Sequence, residues 1–354
     1  MVARTLVALQ VSALDRLRGA AAADRYRQAL QERVDREVFG VTLRVVDLSS
    51  APELDAAVPP GVIVAYGLPR SEYWLDTATF TLSEQPCDDR RVVVVDSVPR
   101  ALTELTQRCR SWPIASAVCD DVLRCLDPAG ATLAGLVTES LAYSTLQAGP
   151  EFGRWLSQRG PARVPDSVEP VTAQRDNDIL RISFNRPERH NAFCTGTRAA
   201  LLEALAVAQL DPSVTGIVLS GNGPSFCSGG DLAEFGSFAD PAGAHLARTR
   251  HSPALVLDEL TARLGRACRA QVHGRVLGSG LEMAAFCGWV QAAPDSVFGL
   301  PELGLGLLPG AGGTVSVTRR VGRWRTAYLV LSGHTVDAQT ALAWGLVDAI
   351  GFAQ

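Results

Sequence analysis

The chain has no lysine; all 33 of its basic residues are arginine. That excludes a Schiff-base lysine and a phosphate-loop lysine outright. No apolar run reaches about 18 residues without a charge, so no transmembrane helix and no membrane partner are expected. Charge is not biased to one sign either. The 33 basic and 37 acidic residues leave a net charge of −4, which gives nucleic acid or an anionic membrane surface no electrostatic footprint. The five histidines (190, 245, 251, 273, 334) have no ligand spacing such as H-E-x-x-H, so no protein-bound metal is expected. The eight cysteines (87, 109, 119, 125, 194, 227, 268, 287) contain no C-x-x-C pair and read as reduced core residues of a cytoplasmic protein. Asp15 and the arginines after it break the opening stretch Met1–Gly19 too early for a secretory h-region, so it reads as a surface helix.

What is present is apolar and rich in glycine: 354 residues, 47% hydrophobic, with 32 Gly and 20 Pro. That length suits about two domains. Residues 160–170 carry three prolines and no helical or strand period, which is linker chemistry. The boundary is therefore placed between residues 1–165 and 166–354. Upstream, Ser12–Glu37, Ala101–Arg110 and Gly135–Leu156 have helical spacing, and Val41–Leu48, Val62–Tyr66, Ala78–Leu82 and Arg91–Asp96 read as short strands. Leu102–Arg108 matches Leu257–Arg263 at five of seven positions. The echo reads as chance helix similarity, with a degenerate duplication as the alternative.

Downstream the grammar is strand, helix, strand, glycine-rich loop, helix, the pattern of a layered α/β domain. Ile179–Asn185 and Gly216–Ser220 read as strands, and Thr195–Gln209 as an amphipathic helix. Four glycine-rich segments follow: Ser228–Asp231, Gly278–Glu282, Phe298–Glu302 and Pro309–Thr314. Glycines before a helix let backbone amides approach developing negative charge, and Gly278-Ser-Gly280 opens an expected helix over Leu281–Trp289. A dinucleotide site is discounted, because Met283 stands at the third fingerprint position and no acidic residue lies at the expected distance after a second strand. Glu282 and Glu302 stand in apolar, Gly-rich surroundings. Such carboxylates are costly unless paired or used, and the setting raises a carboxyl pKa toward acid–base work.

From Ile179 onward the chain resembles the crotonases, the enoyl-CoA hydratase/isomerase superfamily. The resemblance rests on Asn185–Ala192, Phe226–Leu232, Val272–Gly274 with Gly278–Glu282, Phe298–Gly306, Pro309–Thr314 and Ala341–Val347, in order and at matching spacing. It implies an α/β fold class: a crotonase-like core of repeated ββα units, here preceded by an α/β N-terminal domain of unknown role. It implies an acyl-CoA thioester as partner and substrate, with no cofactor beyond the coenzyme A of the substrate itself. By motif position, backbone amides of Gly230 and Ser279 would form the oxyanion hole, with Ser279 a departure from the usual glycine. Glu282 and Glu302 would be the catalytic acids. The loop Glu188, Arg189 and His190 would contact the adenosine part of CoA, with Ala192, Gly229, Asp231 and Leu232 as further substrate-binding positions.

Hydration of a 2-enoyl thioester needs a base for water at C3, an acid for C2 and support for an enolate oxygen. Water activation falls chiefly to Glu282 and proton delivery to Glu302. The alternatives are a Δ3-Δ2 isomerase using Glu302 alone, and a non-catalytic acyl-CoA-binding subunit. Without lysine, CoA phosphates would fall to Arg186, Arg189 or the run Arg319–Arg325, the last also readable as a solvated helix end. Members of the superfamily usually continue into a helical C-terminal subdomain that joins subunits. The expectation here is a homo-oligomer without that subdomain, with residues 1–165 covering the face it would bury.

Overall fold

The computed structural model describes residues 43–49, 61–67, 72–165, 169–238 and 240–351; the expected helices in Met1–Gly19 and Ser12–Glu37 lie outside these. The first half is a parallel sheet with helices. Strands β1 (Arg44–Asp47), β2 (Ile63–Tyr66), β3 (Phe80–Ser83) and β4 (Val92–Val94) lie in that order, with helix α1 (Glu72–Thr77) between β2 and β3. All four residues of β3 are buried, as befits an inner parallel strand covered on both faces.

Four helices follow: α2 (Val98–Ser111), α3 (Pro113–Cys125), α4 (Thr132–Gln147) and α5 (Pro150–Arg159). The helix expected over Gly135–Leu156 is therefore two helices. Pro150 stands at the first position of α5, where its missing N–H costs nothing, and Gly149 caps it in extended geometry. The helix carrying Leu102–Arg108 continues into α3, whereas Leu257–Arg263 is followed by a strand. The echo does not extend beyond one helix.

The second half opens with the hairpin β5 (Val171–Asp176) and β6 (Ile179–Phe184), turned through Asn177 at φ 54°. Leu180, Ile182 and Phe184 alternate inward along β6, the period-2 pattern of a strand. Then come α6 (Thr195–Leu210), β7 (Gly216–Gly221), α7 (Pro241–Arg250) and α8 (Pro253–Leu264). After these the chain alternates between two sheets: β8 (Cys268–Val272), β9 (Arg275–Leu277), α9 (Ser279–Ala284), β10 (Trp289–Ala292), β11 (Val297–Gly299). Helix α9 is shorter than expected, because the chain must turn to bring Trp289 into register beside Arg269. The chain goes on through α10 (Gly313–Ser332), which is broken by a kink at Gly322 (φ 82°), then β12 (Val336–Asp337), α11 (Ala338–Trp344) and β13 (Ala349–Ile350). The larger sheet runs β13-β10-β8-β7-β6-β5 and the smaller β12-β11-β9, so β8 then β9, and β10 then β11, each contribute one strand to either sheet. No helix among the described residues is long and apolar enough to cross a membrane.

The two halves share one hydrophobic core, which runs from Val64, Phe80, Leu105 and Leu136 into Leu257, Val315 and Leu329. Phe80 meets Tyr328 edge-on at 5.6 Å, and Arg108 Nε donates to the Leu331 carbonyl at 3.0 Å. Helix α4 approaches α10 so closely that a Cβ on Gly135 would lie 2.6 Å from Val315 Cγ2. Removing residues 1–165 would uncover the α10 face of this core, and apolar surface of that size drives association. A fragment of residues 166–354 is expected to aggregate, and co-expressed residues 1–165 to rescue it. Size-exclusion chromatography is the check, and a monodisperse, cooperatively unfolding fragment would contradict the shared core.

Candidate active site

Two loops are brought together by the strand order. Cys227 accepts from the Leu277 amide at 3.0 Å and donates to the Arg275 carbonyl at 3.1 Å, which sets the loop Ser228–Asp231 beside the start of α9. On the first loop, Phe193 donates to the Gly229 carbonyl and accepts from Asp231, both at 2.8 Å, leaving the Gly230 amide between them unused by backbone. On the second, Gly278 has φ 48°, and a Cβ there would lie 2.6 Å from Glu302 Oε1. Only glycine tolerates both the left-handed backbone and that approach. Gly230, Ser279, Glu282 and Glu302 all line one cavity.

The cavity floor is set by the turn before α10. Four successive amides are divided alternately between two carboxylates. Ala311 and Gly313 donate to Glu282 Oε2, both at 2.7 Å. Gly312 donates to Glu139 Oε1 at 2.7 Å, and Thr314 donates its amide at 2.9 Å and its hydroxyl at 2.6 Å to Glu139 Oε2. Helix α10 has no side-chain cap of its own, so these glutamates satisfy its N-terminal amides from elsewhere. Glu302 differs: its Oε2 is buried without a hydrogen-bond partner.

Three buried carboxyl groups around one cavity cannot all ionise freely. Burial above all pushes Glu139 up to about 7 and Glu302 up to about 8, the latter with the nearby Glu139 charge adding to the rise. Burial, then Glu302 and Glu139, hold Glu282 well above the ordinary carboxylate range.

The sequence reading missed Glu139 and Tyr143, which line the same cavity from α4. A signal was present: Glu139 is the sole charged residue of the sixteen in that helix. The reasoning applied to Glu282 applies equally to it.

The loop expected to meet the adenosine of CoA is built differently from its catalytic neighbours. Glu188 and Leu232 are exposed, Ala192 and Gly229 are buried, and His190, at φ 50°, has Nδ1 2.9 Å from Ser225 Oγ. None of these lines the cavity of the glutamates. Asp231 is held by Arg186 at 3.0 Å and by Arg189 at 2.7 Å. Arg186 is 1% exposed and donates to the Ala192 carbonyl, so it cannot serve as a phosphate contact; it is a core ion pair. Arg189 spends Nε and one terminal nitrogen on Asp231, and its Nη1 has no hydrogen-bond partner among the described residues. The run Arg319–Arg325 is neither a solvated helix end nor a phosphate site. Arg319 and Arg320 pair with Asp258 and Asp348, Arg323 donates to the Ala78 carbonyl, and Arg325 is buried. All eight cysteines are free, and among the described residues no three His, Cys, Asp or Glu are placed to hold a metal.

Comparison with known proteins identifies the family of the second half. Residues 174–352, half of the chain, match the family model described as Enoyl-CoA hydratase/isomerase, and the chain belongs to that family. It is 36% identical over 183 residues to the 2,3-dehydroadipyl-CoA hydratase of Escherichia coli (strain K12), covering 51% of this chain and 68% of that protein. It is 35% identical over 178 residues to the mitochondrial enoyl-CoA hydratase of Pongo abelii, covering 50% of this chain and 59% of that protein. Among solved structures, the enoyl-CoA hydratase from Thermoplasma volcanium GSS1 is 34% identical with a TM-score of 0.45, over 51% of this chain and 71% of that one.

The Asp231 pair is testable. Burial alone would raise the Asp231 carboxyl, but Arg189, the Ala233 amide and Arg186 bring it below the ordinary carboxylate range. A depressed folded-state pKa contributes stability above the unfolded value and loses it as pH falls through the folded one. Asp231→Asn strands the Arg186 charge and is expected to cost about 3–5 kcal/mol in urea unfolding at neutral pH. The gap to wild type should narrow on acidification; a variant equal to wild type at neutral pH would contradict the pairing.

Proposed function

We propose that the chain adds water to a 2-enoyl-CoA thioester, giving the 3-hydroxyacyl-CoA. The carrying observation is the convergence of Glu282, Glu302 and the Gly230 and Ser279 loops on one cavity. Family membership and the hydratase names of the two relatives support the same reaction class. In this reading Glu282 is the ionised member, its anion supported by the Ala311 and Gly313 amides against the burial that raises it, and it takes a proton from water as the hydroxyl bonds to C3. Glu302 gives a proton to C2. The thioester oxygen, enolate-like in between, is held by the Gly230 and Ser279 amides, a contribution of about 3–4 kcal/mol per donor in comparable sites. Glu302, with Oε2 unpartnered and its carboxyl raised to about 8, suits a group that carries its proton at neutral pH. Coenzyme A enters as part of the substrate, with Arg189 Nη1 the free cation of the Glu188–His190 loop.

One observation favours the isomerase alternative. Glu282 Oε2 is occupied by two amides, whereas Glu302 Oε2 has no hydrogen-bond partner and could shuttle a proton alone. Glu282→Gln and Glu302→Gln separate the two. Hydration predicts that each variant loses about 10²-fold or more in kcat with little change in KM, read from the absorbance of the conjugated thioester. Loss confined to Glu302→Gln, in a 3-enoyl-CoA assay, would establish the isomerase. Binding without turnover of either substrate would leave an acyl-CoA-binding subunit.

A further inference from the structure

The N-terminal half places a carboxylate in the candidate active site that the two-glutamate chemistry does not use. Glu139, on α4, is 1% exposed and lines the cavity beside Glu282 and Glu302. A remote helix cap accounts for part of this. Glu151 is such a cap: both of its oxygens take amides at the start of α3, each at 2.9 Å, and it does not line the cavity. Glu139 differs in its company. Capping explains its hydrogen bonds but not its place among two other buried carboxyl groups.

The donor inventory ranks the three. Glu139 receives three donors spread over both oxygens, Glu282 receives two on one oxygen, and Glu302 Oε2 receives none. Hydrogen bonds to the charged form favour it, so negative charge settles first on Glu139, and that charge raises both remaining carboxyls, Glu302 with no donor on Oε2 and Glu282 despite its two amides. Other groups bear on the outcome. Arg248, on α7, donates to Ser140 Oγ at 3.1 Å and to Ser144 Oγ, and its charge favours the Glu139 anion. Tyr143 from α4, Arg198 from α6, Glu234 and His251 line the same cavity, and Cys119 of α3 interacts electrostatically with both Glu139 and Glu302.

We propose that Glu139 is a positioning residue, its anion supported by the Gly312–Thr314 turn, whose charge, once formed, keeps the proton on Glu302 and so couples residues 1–165 to catalysis. Its catalytic consequence rests on the hydration reading; its electrostatic part does not. Glu139→Gln removes the charge, and removing a negative neighbour lowers the pKa of Glu302. The acid then deprotonates at lower pH, and the basic limb of the rate profile moves down.

The test uses the full chain and two readouts. The first needs no substrate: the infrared carbonyl band of a protonated carboxylic acid, assigned to Glu302 by its loss in Glu302→Gln, is titrated in wild type and in Glu139→Gln. Its midpoint is expected to fall by about one unit, the scale of a single neighbouring charge. The second is the pH profile of kcat. Glu139→Gln should lose about fivefold at pH 8 and stay within about twofold of wild type below pH 6, whereas a merely structural role would lower kcat evenly at every pH. Glu139→Asp keeps the charge and should restore the wild-type midpoint. Thr314→Val removes one donor and should move the band the same way by less, which serves should Glu139→Gln not fold. A Glu302 band with an unchanged midpoint in a folded Glu139→Gln or Thr314→Val protein overturns the proposal. A shifted band with no turnover of any enoyl thioester would sink the hydration reading and leave the electrostatic role standing.

Discussion

Four amides at the head of α10, shared alternately by Glu282 and Glu139, are the contact on which the rest depends. A helix N-terminus buried in protein leaves donors that water cannot reach, and two buried carboxylates need donors. Each requirement meets the other. The same contact joins the halves of the chain, since Glu282 belongs to α9 and Glu139 to α4, and it sets the floor of the cavity. Glu302 has no share in it, and its Oε2 is buried without a hydrogen-bond partner.

The device recurs. Helix α3 also begins without a side-chain cap, and Glu151, on α5, supplies both oxygens to its first amides. Helices in this chain are tied to one another through glutamates at their ends, which fixes their relative placement more tightly than packing of small apolar side chains alone. That rigidity matters where a carboxyl must be held within hydrogen-bond reach of a reacting atom.

The absence of lysine has its counterpart in how the arginines are used. Arg108, Arg319, Arg320 and Arg323 each donate to main-chain carbonyls, and Arg266 lies 3.8 Å above the ring of Trp289. A planar guanidinium can satisfy several acceptors and stack at once, which an ammonium cannot. The run Arg319–Arg325, a candidate for the CoA phosphates in the sequence, is therefore consumed by the fold.

The sequence by itself determined the second half: period-2 strands such as Ile179–Phe184, the glycine loops and two lone carboxylates in apolar context are local chemistry, legible residue by residue. It placed Gly230, Ser279, Glu282 and Glu302 in one site, because their motifs lie within about seventy residues and in a familiar order. It did not reveal that Pro150 splits a helix from its neighbour, that Arg186 is spent on Asp231, or that Glu139 belongs to the site. Those depend on contacts distant in the chain: Glu139 lies 173 positions from Gly312 and 175 from Thr314. Only the tertiary structure decides them, because hydrogen bonds and ion pairs are satisfied in space and leave no periodic trace along the chain.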